Sequence, residues 1–321
     1  MSHVPVVLGL DFGGTKIAAS ACDLTGTRLA SATISSDGQL GAQASFDRGI
    51  EAAKRLLDSA APGRALAAVG VSTFGIPFDD RVELAPAIDG WGELPMGRAL
   101  RAAFPGARVR MTTDAKAAAR AEARWGALTG CDPALFLNLG TGLAAGIVIG
   151  GEVLAGGDGA AGEIGYNLRA IADVGLALDQ RTPLEDMVSG QALTRRAAGL
   201  QPGGTSAGAV FQAGQDDHRL AGLVTDFINE LAYHVVNLAI CLNPVRIAVG
   251  GGIVRSWDRI RPGLQRALSA GVPFPPELVV ARFPYDAPLL GAVALAVDAA
   301  RGAGPPDDAP RHTNNLRRVM P

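Results

Sequence analysis

The chain has 321 residues, 48% of them hydrophobic, which is long for one domain and enough to bury a core in each of two. Charged residues make up 19% and the formal net charge is -2, so the basic surplus that non-specific nucleic-acid binding requires is absent and no nucleic-acid partner is expected. Met1 to Pro5 lacks a basic, secretory-type leader and every apolar stretch is broken well short of a membrane span, so a cytoplasmic protein with no membrane partner is expected.

In chain order, Val6–Asp11, Ile17–Cys22 and Arg28–Ile34 read as a β-meander, followed by a helix over Gln43–Ser59 and a buried strand over Ala67–Thr73. A helix near Met96–Phe104 and a strand Val109–Thr113 lead to Asp114 and an Ala-rich helix over Ala115–Leu128. Ala134–Leu139, Ala144–Ile149 and Glu152–Leu154 then repeat the opening meander, with Gly150-Gly151 as a tight turn, so the two halves read as related units. Asp217–Leu242 is a long amphipathic helix closed by Asn243-Pro244. Arg246–Val249 and Leu278–Ala281 are strands, and Pro288–Arg301 is a closing helix. Residues 302–321, rich in Pro, Asp, Asn and Arg, read as a loose tail.

The chain carries only three lysines, Lys16, Lys54 and Lys116, so a lysine inside a glycine turn is a selective placement. Such a turn is Asp11-Phe12-Gly13-Gly14-Thr15-Lys16, between two strands. Glycines let backbone N–H groups close on an anion, and a phosphate is the obvious guest. Asp11 could hold Mg²⁺ through water, while Thr15 and Lys16 offer a hydroxyl and a positive charge to phosphate oxygens. The turn is not a Walker loop, because the spacing differs and a strand follows; alone, it could be just a hairpin. Gly140-Thr141-Gly142 stands at the matching place in the second half, and the pair has the layout of two loops clasping one polyphosphate. Gly250-Gly251-Gly252, between a strand and a helix, is either a simple turn or a place where adenosine lies close to the backbone. Cys22, Cys131 and Cys241 form no CxxC pair and suggest neither a disulfide framework nor a thiolate site.

With these stretches on the page, the sequence resembles the ROK family of repressors and sugar kinases. The resemblance runs from Val6 to about Arg301 through LGLDFGGTKIA, TDAKAAARAE, LGTGLAAGIVIGGEVLAGGDGAAGEIGY, LEDMVSGQAL and IAVGGGIV. It implies an α/β protein with the two-lobed actin-like (ribonuclease H-like) sugar kinase fold, the lobes expected as 1–114 with 288–301 and as 115–287. The family's repressors carry an N-terminal DNA-binding winged helix, for which this chain leaves no room, so the resemblance favours a kinase. It implies ATP and Mg²⁺ held by Asp11, Gly13, Gly14, Thr15 and Lys16 on one side and Gly140, Thr141 and Gly142 on the other, a small polyol acceptor, and compatibility with a homodimer. Asp114 matches the catalytic base, although an Asp before a helix also reads as a cap. Glu163 and Glu185 match the glutamates that bind sugar hydroxyls, although Glu185 also reads as a first-turn charge.

The chain departs from the family at the acceptor end. The resemblance would bring a zinc held by a histidine and three cysteines, but those positions carry Tyr166, Leu176, Leu178 and Pro183, none a soft ligand, so no zinc is expected. His3, His218, His234 and His312 show no ligand spacing, and His234 reads as a core or interface histidine. The aspartate, usually flanked as Asn-Asp-Ala-Asn, lies in Thr113-Asp114-Ala115-Lys116, and Ala87 replaces a polar residue ahead of Gly90-Trp91. Thr113 and Tyr166 then become expected acceptor contacts, and Lys116 either a surface charge or a phosphate or substrate contact. Three changed polar contacts argue against a plain glucokinase and towards a modified hexose, an amino sugar of kanosamine type or a C7 cyclitol of valiolone type. The alternatives are a glucokinase or N-acetylhexosamine kinase, and a non-catalytic sugar-sensing protein.

Overall fold

The computed structural model describes residues 4–200 and 206–302; the expected tail, apart from its first residue, lies outside them. In chain order the elements are β1 (Val6–Phe12), β2 (Lys16–Cys22), β3 (Arg28–Ser35), α1 (Ala42–Ala60), β4 (Leu66–Thr73), β5 (Ile76–Pro77), β6 (Val82–Glu83), α2 (Met96–Ala103), β7 (Arg108–Thr113), α3 (Asp114–Trp125), β8 (Ala134–Leu139), β9 (Leu143–Ile149), β10 (Glu152–Val153), α4 (Gly190–Ala198), α5 (Ala207–Ala213), α6 (His218–Leu242), β11 (Arg246–Gly250), α7 (Trp257–Gly271), β12 (Glu277–Val280) and α8 (Ala287–Ala300).

The chain divides into two compact units. One runs to Ala121 and takes in Leu154–Ala161 and the residues from Asp286; the other is Glu122–Val153 with Gly162–Tyr285. The sequence reading changes units at Asp114; the contacts carry the first unit seven residues further, because α3 lies against α8. A Cβ built on Gly291 would stand 1.8 Å from the carbonyl oxygen of Ala117, so the two helix backbones touch there.

The first unit holds a sheet of order β3-β2-β1-β4-β7, antiparallel among its first three strands and parallel across β1, β4 and β7. Alternation on β3 places small apolar residues inward and polar ones outward, as an edge strand with one wet face requires, whereas β1 and β4 are apolar almost throughout and buried. Helix α8 is apolar on nearly every side and buried almost along its length. It sits on β1 and β4 where Gly9 and Gly70 leave room: a Cβ on Gly70 would come within 2.0 Å of the Ala292 carbonyl oxygen. The opposite side is closed by Phe12, Phe46, Ile50 and Trp91, with Phe12 and Phe46 stacked at 5.4 Å.

The second unit repeats the topology with β10-β9-β8-β11-β12. Its core packs Leu135, Leu137 and Val249 against Phe227, Leu231 and Val235 of α6 and Ile260 and Leu264 of α7. Asp217 caps α6 through Arg219 N–H, and Asn243 ends it in a left-handed conformation. Glu122, fully buried, accepts hydrogen bonds from the backbone N–H groups of Ala127, Phe283 and Arg282 at 2.6, 2.7 and 3.1 Å, tying α3 to the segment after β12. The short ribbon β5–β6 and helices α4 and α5 have too few periodic residues to stand out in the sequence.

Candidate active site

In the first unit the candidate site residues gather at the C-terminal ends of three parallel strands. Asp11 of β1 pairs in register with Ser72 of β4, which pairs with Thr112 of β7; Thr113 and Asp114 follow directly. Two strand spacings separate Asp11 from that corner of β7, about 10 Å. The carboxyl ends of such strands are where this class of sheet binds ligands.

Asp11 is half-buried, and Ser72 Oγ donates to its Oδ1 at 2.9 Å. Burial pushes its carboxyl from 3.8 up to about 6, with a smaller push from Asp286, while the Ser72 hydroxyl and the Lys16 charge pull the other way. The turn after it is closed by a hydrogen bond from Gly13 N–H to the Lys16 carbonyl at 2.9 Å, leaving Gly14, Thr15 and Lys16 exposed. Ser36 braces this loop, its hydroxyl donating to the Gly14 carbonyl at 2.8 Å and its N–H to that of Thr15 at 3.1 Å. Ala87 lies beside it, its Cβ 3.5 Å from where a Cβ on Gly14 would stand.

Asp114 is the first residue of α3, and its Oδ1 accepts the N–H of Ala115 at 2.6 Å. Lys116 is no surface charge: it is buried and donates to the buried Thr113 hydroxyl at 3.3 Å. A cation in the first turn opposes the helix dipole, and burial adds a desolvation cost, so this placement calls for anions nearby. Thr113 is thereby already engaged by a neighbour of the aspartate. Trp91 donates from its ring nitrogen to Thr73 Oγ1 at 3.2 Å, holding the Gly90-Trp91 segment to the same strand ends.

The second unit, taken by itself, carries two features. The first is a cavity of about 530 Å³ lined by Gly140, Thr141, Gly190, Gln191, Thr194, Arg195, Ser206, Ala207, Gly252 and Ile253. Gly140 is tied to the start of α4 by the hydrogen bond from Gly190 N–H to its carbonyl, 2.8 Å. Of the third glycine cluster only Gly252 lines the cavity. A Cβ on Gly250 would strike the Phe136 ring at 2.6 Å, and one on Gly251, whose φ is 93, would stand 2.4 and 2.5 Å from the Leu139 carbonyl oxygen and carbon, so these two serve close packing and the turn. Gln191, Thr194 and Arg195 went unassigned in the sequence; the Ser189 cap, whose hydroxyl accepts Ala192 N–H at 3.1 Å, was the available signal for the helix that carries them.

The second feature brings Glu163, Tyr166 and Glu185 together. Glu163 precedes the 3₁₀ turn Ile164–Tyr166, and Glu185 lies in the 3₁₀ turn Leu184–Asp186. Glu185 Oε2 accepts the N–H of Leu143 at 2.7 Å. Although the residue as a whole is exposed, its carboxylate end is flanked by two glycines: Cβ atoms on Gly142 and Gly165 would stand 2.4 Å and 3.5 Å from Oε2. Gly142 therefore packs on Glu185 and not in the cavity. Burial raises the Glu185 carboxyl above its ordinary range, the Leu143 N–H opposing and the charges of Asp186 and Glu163 adding. The half-buried Tyr166 hydroxyl is pushed up by burial, then by Glu185 and Glu163, which places all three groups in one field. Two carboxylates and a phenol can accept and donate to a row of hydroxyls.

Leu176 and Leu178, at two of the family's zinc-ligand positions, are exposed side chains. No group of three or more His, Cys, Asp or Glu side chains suited to a metal ion occurs among the described residues. No helix among them is long and apolar enough to cross a membrane.

Comparison with known proteins places the chain among sugar kinases in family and fold. The chain is 29% identical over 300 residues to the bifunctional enzyme NanE/NanK of Brucella melitensis, a match that covers 90% of the chain but only 54% of that protein, so the chain spans about half its length. It is 30% identical over 313 residues to the kanosamine kinase of Amycolatopsis mediterranei, 94% of this chain and 99% of that one. Among solved structures, a ROK family glucokinase from Streptomyces griseus in complex with glucose and AMPPNP superposes with a TM-score of 0.70 at 30% identity, covering 90% of this chain and 98% of the other. The fold is accordingly the actin-like α/β fold of sugar kinases. The ROK family profile matches residues 7–299, and the chain belongs to the ROK family.

Proposed function

We propose that this protein transfers the γ-phosphoryl group of ATP, with Mg²⁺, to the primary hydroxyl of a hexose-like acceptor, and that the acceptor is a modified sugar of kanosamine type or a C7 cyclitol of valiolone type. The observation that carries the reading is the strand edge that bears both carboxylates, Asp11 at the end of β1 and Asp114 just past the end of β7 two strands away, one suited to a metal–phosphate group and the other to a hydroxyl.

The residues fit the nucleotide and the metal. The Asp11 carboxyl, lifted by burial, is a group that a divalent cation would return to its ionised form. Gly14 and Gly140 present backbone without Cβ, and the cavity beside Gly140 and Gly252 has room for an adenosine. When bound, ATP with Mg²⁺ supplies the electrophilic phosphoryl group and neutralises the charge on its oxygens. Asp11 would hold that metal through water; Thr15 and Lys16 would offer a hydroxyl and a cation to the phosphates, and Thr141 a second hydroxyl.

Asp114 orients the acceptor hydroxyl and takes up its proton, while Glu163 and Glu185 accept hydrogen bonds from ring hydroxyls and Tyr166 presents a ring face. The free oxygen of Glu185 does this work, since the other is held by Leu143. The likeness to a kanosamine kinase supports the modified-sugar reading, and the altered Thr113, Tyr166 and Ala87 positions support a departure from glucose. A cytoplasmic setting, where ATP is available, accords with this activity.

The test is an ATP-consumption assay against glucose, mannose, N-acetylmannosamine, kanosamine and a valiolone-type cyclitol. Turnover of an amino sugar or cyclitol with little on glucose is the expected result. Efficient glucose turnover would replace the acceptor assignment with that of a glucokinase, and ATP binding without turnover of any acceptor would favour a sugar-sensing role.

A further inference from the structure

Glu163, just before the 3₁₀ turn Ile164–Tyr166, and Tyr166, its last residue, form one arm of the proposed acceptor site, and Glu185 forms the other. The last carbonyls of such a turn have no partner within it. Here the carbonyls of Tyr166 and Asn167 are both taken by one guanidinium: Arg181 Nη2 donates to Tyr166 at 2.7 Å and Nη1 to Asn167 at 3.3 Å. Arg181 stands fifteen residues after Tyr166 and four before Glu185. Its fork therefore links the end of the first turn to the segment that leads into Glu185, whose Cβ would stand 3.2 Å from a Cβ on Gly165.

Beside the direct packing of Gly165 on Glu185, two other bonds around the turn lead elsewhere. The Asn167 side-chain amide lies 3.3 Å from His234 Nδ1, and Arg169 pairs with Glu230, so the chain after Tyr166 is tied to α6. Neither contact reaches the segment that carries Glu185. Asp173 binds the N–H groups of Arg169 and Ala170 at 2.8 and 3.0 Å and feels the Arg181 charge, which orders the loop from which Arg181 returns. The segments crossed by the guanidinium are those that bear Tyr166 on one side and Leu176, Leu178 and Pro183 on the other, where the family pattern would put metal ligands.

We propose that Arg181 is a positioning residue that cross-links the two arms of the acceptor site, fixing Tyr166 relative to Glu185 with charge-assisted hydrogen bonds in place of a metal. This rests on the acceptor-site reading given above. Arg suits the task because its planar fork reaches two carbonyls at once, whereas a lysine is a point donor.

The experiment uses the full chain as wild type, Arg181→Gln, Arg181→Lys and Arg181→Ala. Amide hydrogen exchange is followed over residues 163–167, and steady-state kinetics are measured with the best acceptor of the panel. Exchange in that segment should quicken about tenfold or more in the Gln and Ala variants. The acceptor KM should rise by a similar factor, with the KM for ATP unchanged, and guanidinium ion should restore part of the loss in Arg181→Ala. Lys should fall in between. An unchanged exchange rate in folded variants, or a uniform fall in kcat with the acceptor KM unmoved, overturns the proposal. If wild type phosphorylates no acceptor, the proposed activity fails, and the exchange readout still decides the cross-link. Should Arg181→Ala not fold, the Lys and Gln variants carry the same comparison.

Discussion

Ser72 of β4 donates its hydroxyl to the carboxylate of Asp11 on the neighbouring strand β1 at 2.9 Å, yet burial outweighs this bond and lifts the Asp11 carboxyl to about 6. A carboxyl raised above its unfolded value of 3.8 costs stability when ionised. The cost is absent below that value, grows as pH rises through about 6, and is complete at neutral pH. Asp11→Asn should therefore stabilise the ligand-free protein at pH 7.5 by no more than about 3 kcal/mol, with little effect near pH 4. Thermal unfolding at the two pH values checks this. Adding Mg²⁺ and ATP should raise the melting temperature of wild type and not of the variant, and the affinity of wild type for the metal nucleotide should decline as pH falls through about 6.

Asp114 accepts the Ala115 N–H, a bond that asparagine can keep through its own oxygen. Asp114→Asn should accordingly keep the protein folded while kcat falls by about 10²- to 10⁴-fold, because the amide cannot take up the acceptor's proton. Calorimetric titration with a non-hydrolysable ATP analogue should show unchanged nucleotide affinity. A variant retaining half of wild-type turnover would remove the base assignment.

Gly142→Ala puts a Cβ 2.4 Å from Glu185 Oε2. The carboxylate is the movable partner, so it should swing away and lose the Leu143 N–H rather than unfold the site. The expected outcome is a rise in the acceptor KM of about tenfold or more with the ATP KM little altered. In wild type the raised Glu185 carboxyl means that acceptor binding, which needs the carboxylate, should weaken on acidification at a pH above the ordinary range of a glutamate. Acceptor KM against pH tests it, and Glu185→Gln should flatten the profile.

Gly70 presses on the α8 backbone, with the Ala292 carbonyl oxygen 2.0 Å and the Ala296 nitrogen 2.7 Å from a built Cβ. Neither atom can move without shifting the helix. Gly70→Ala should destabilise the first unit by about 3 kcal/mol, read as a lower melting temperature and poorer soluble yield. Gly63→Ala offers a contrast: its Cβ would meet no atom within 4 Å, so the cost there comes only from its φ of 70.

Metal analysis of the purified protein should find no stoichiometric zinc, and a zinc-selective chelator in excess Mg²⁺ should leave acceptor turnover intact. Leu176, Leu178, Pro183 and Tyr166 offer no thiolate or imidazole at the family's ligand positions. One zinc per chain would overturn both this expectation and the account of Arg181.

Local pattern was enough for the elements that carry strong periodicity. The meanders around Asp11 and Leu139, the α6 helix with its Asp217 and Asn243 ends, and the buried α8 all stand where the spacing of apolar residues put them. Lys116 was not legible, since its neighbours Ala115 and Ala117 say nothing about which side of α3 meets the sheet, and only packing shows it buried against Thr113. The same holds for Gly142, whose place in a glycine turn resembles that of Gly140 although one touches Glu185 and the other lines the cavity.

The sequence by itself determined the family, the repeated meander and the identity of the candidate carboxylates, because these depend on residue type and on spacing along the chain. The tertiary structure decided which atoms those carboxylates meet. Asp11 meets Ser72 across 61 positions, Glu185 meets Leu143 across 42, and Arg181 reaches back 15 to Tyr166. Hydrogen bonds of that span depend on distance in space, to a fraction of an ångström, and separation along the chain does not encode it.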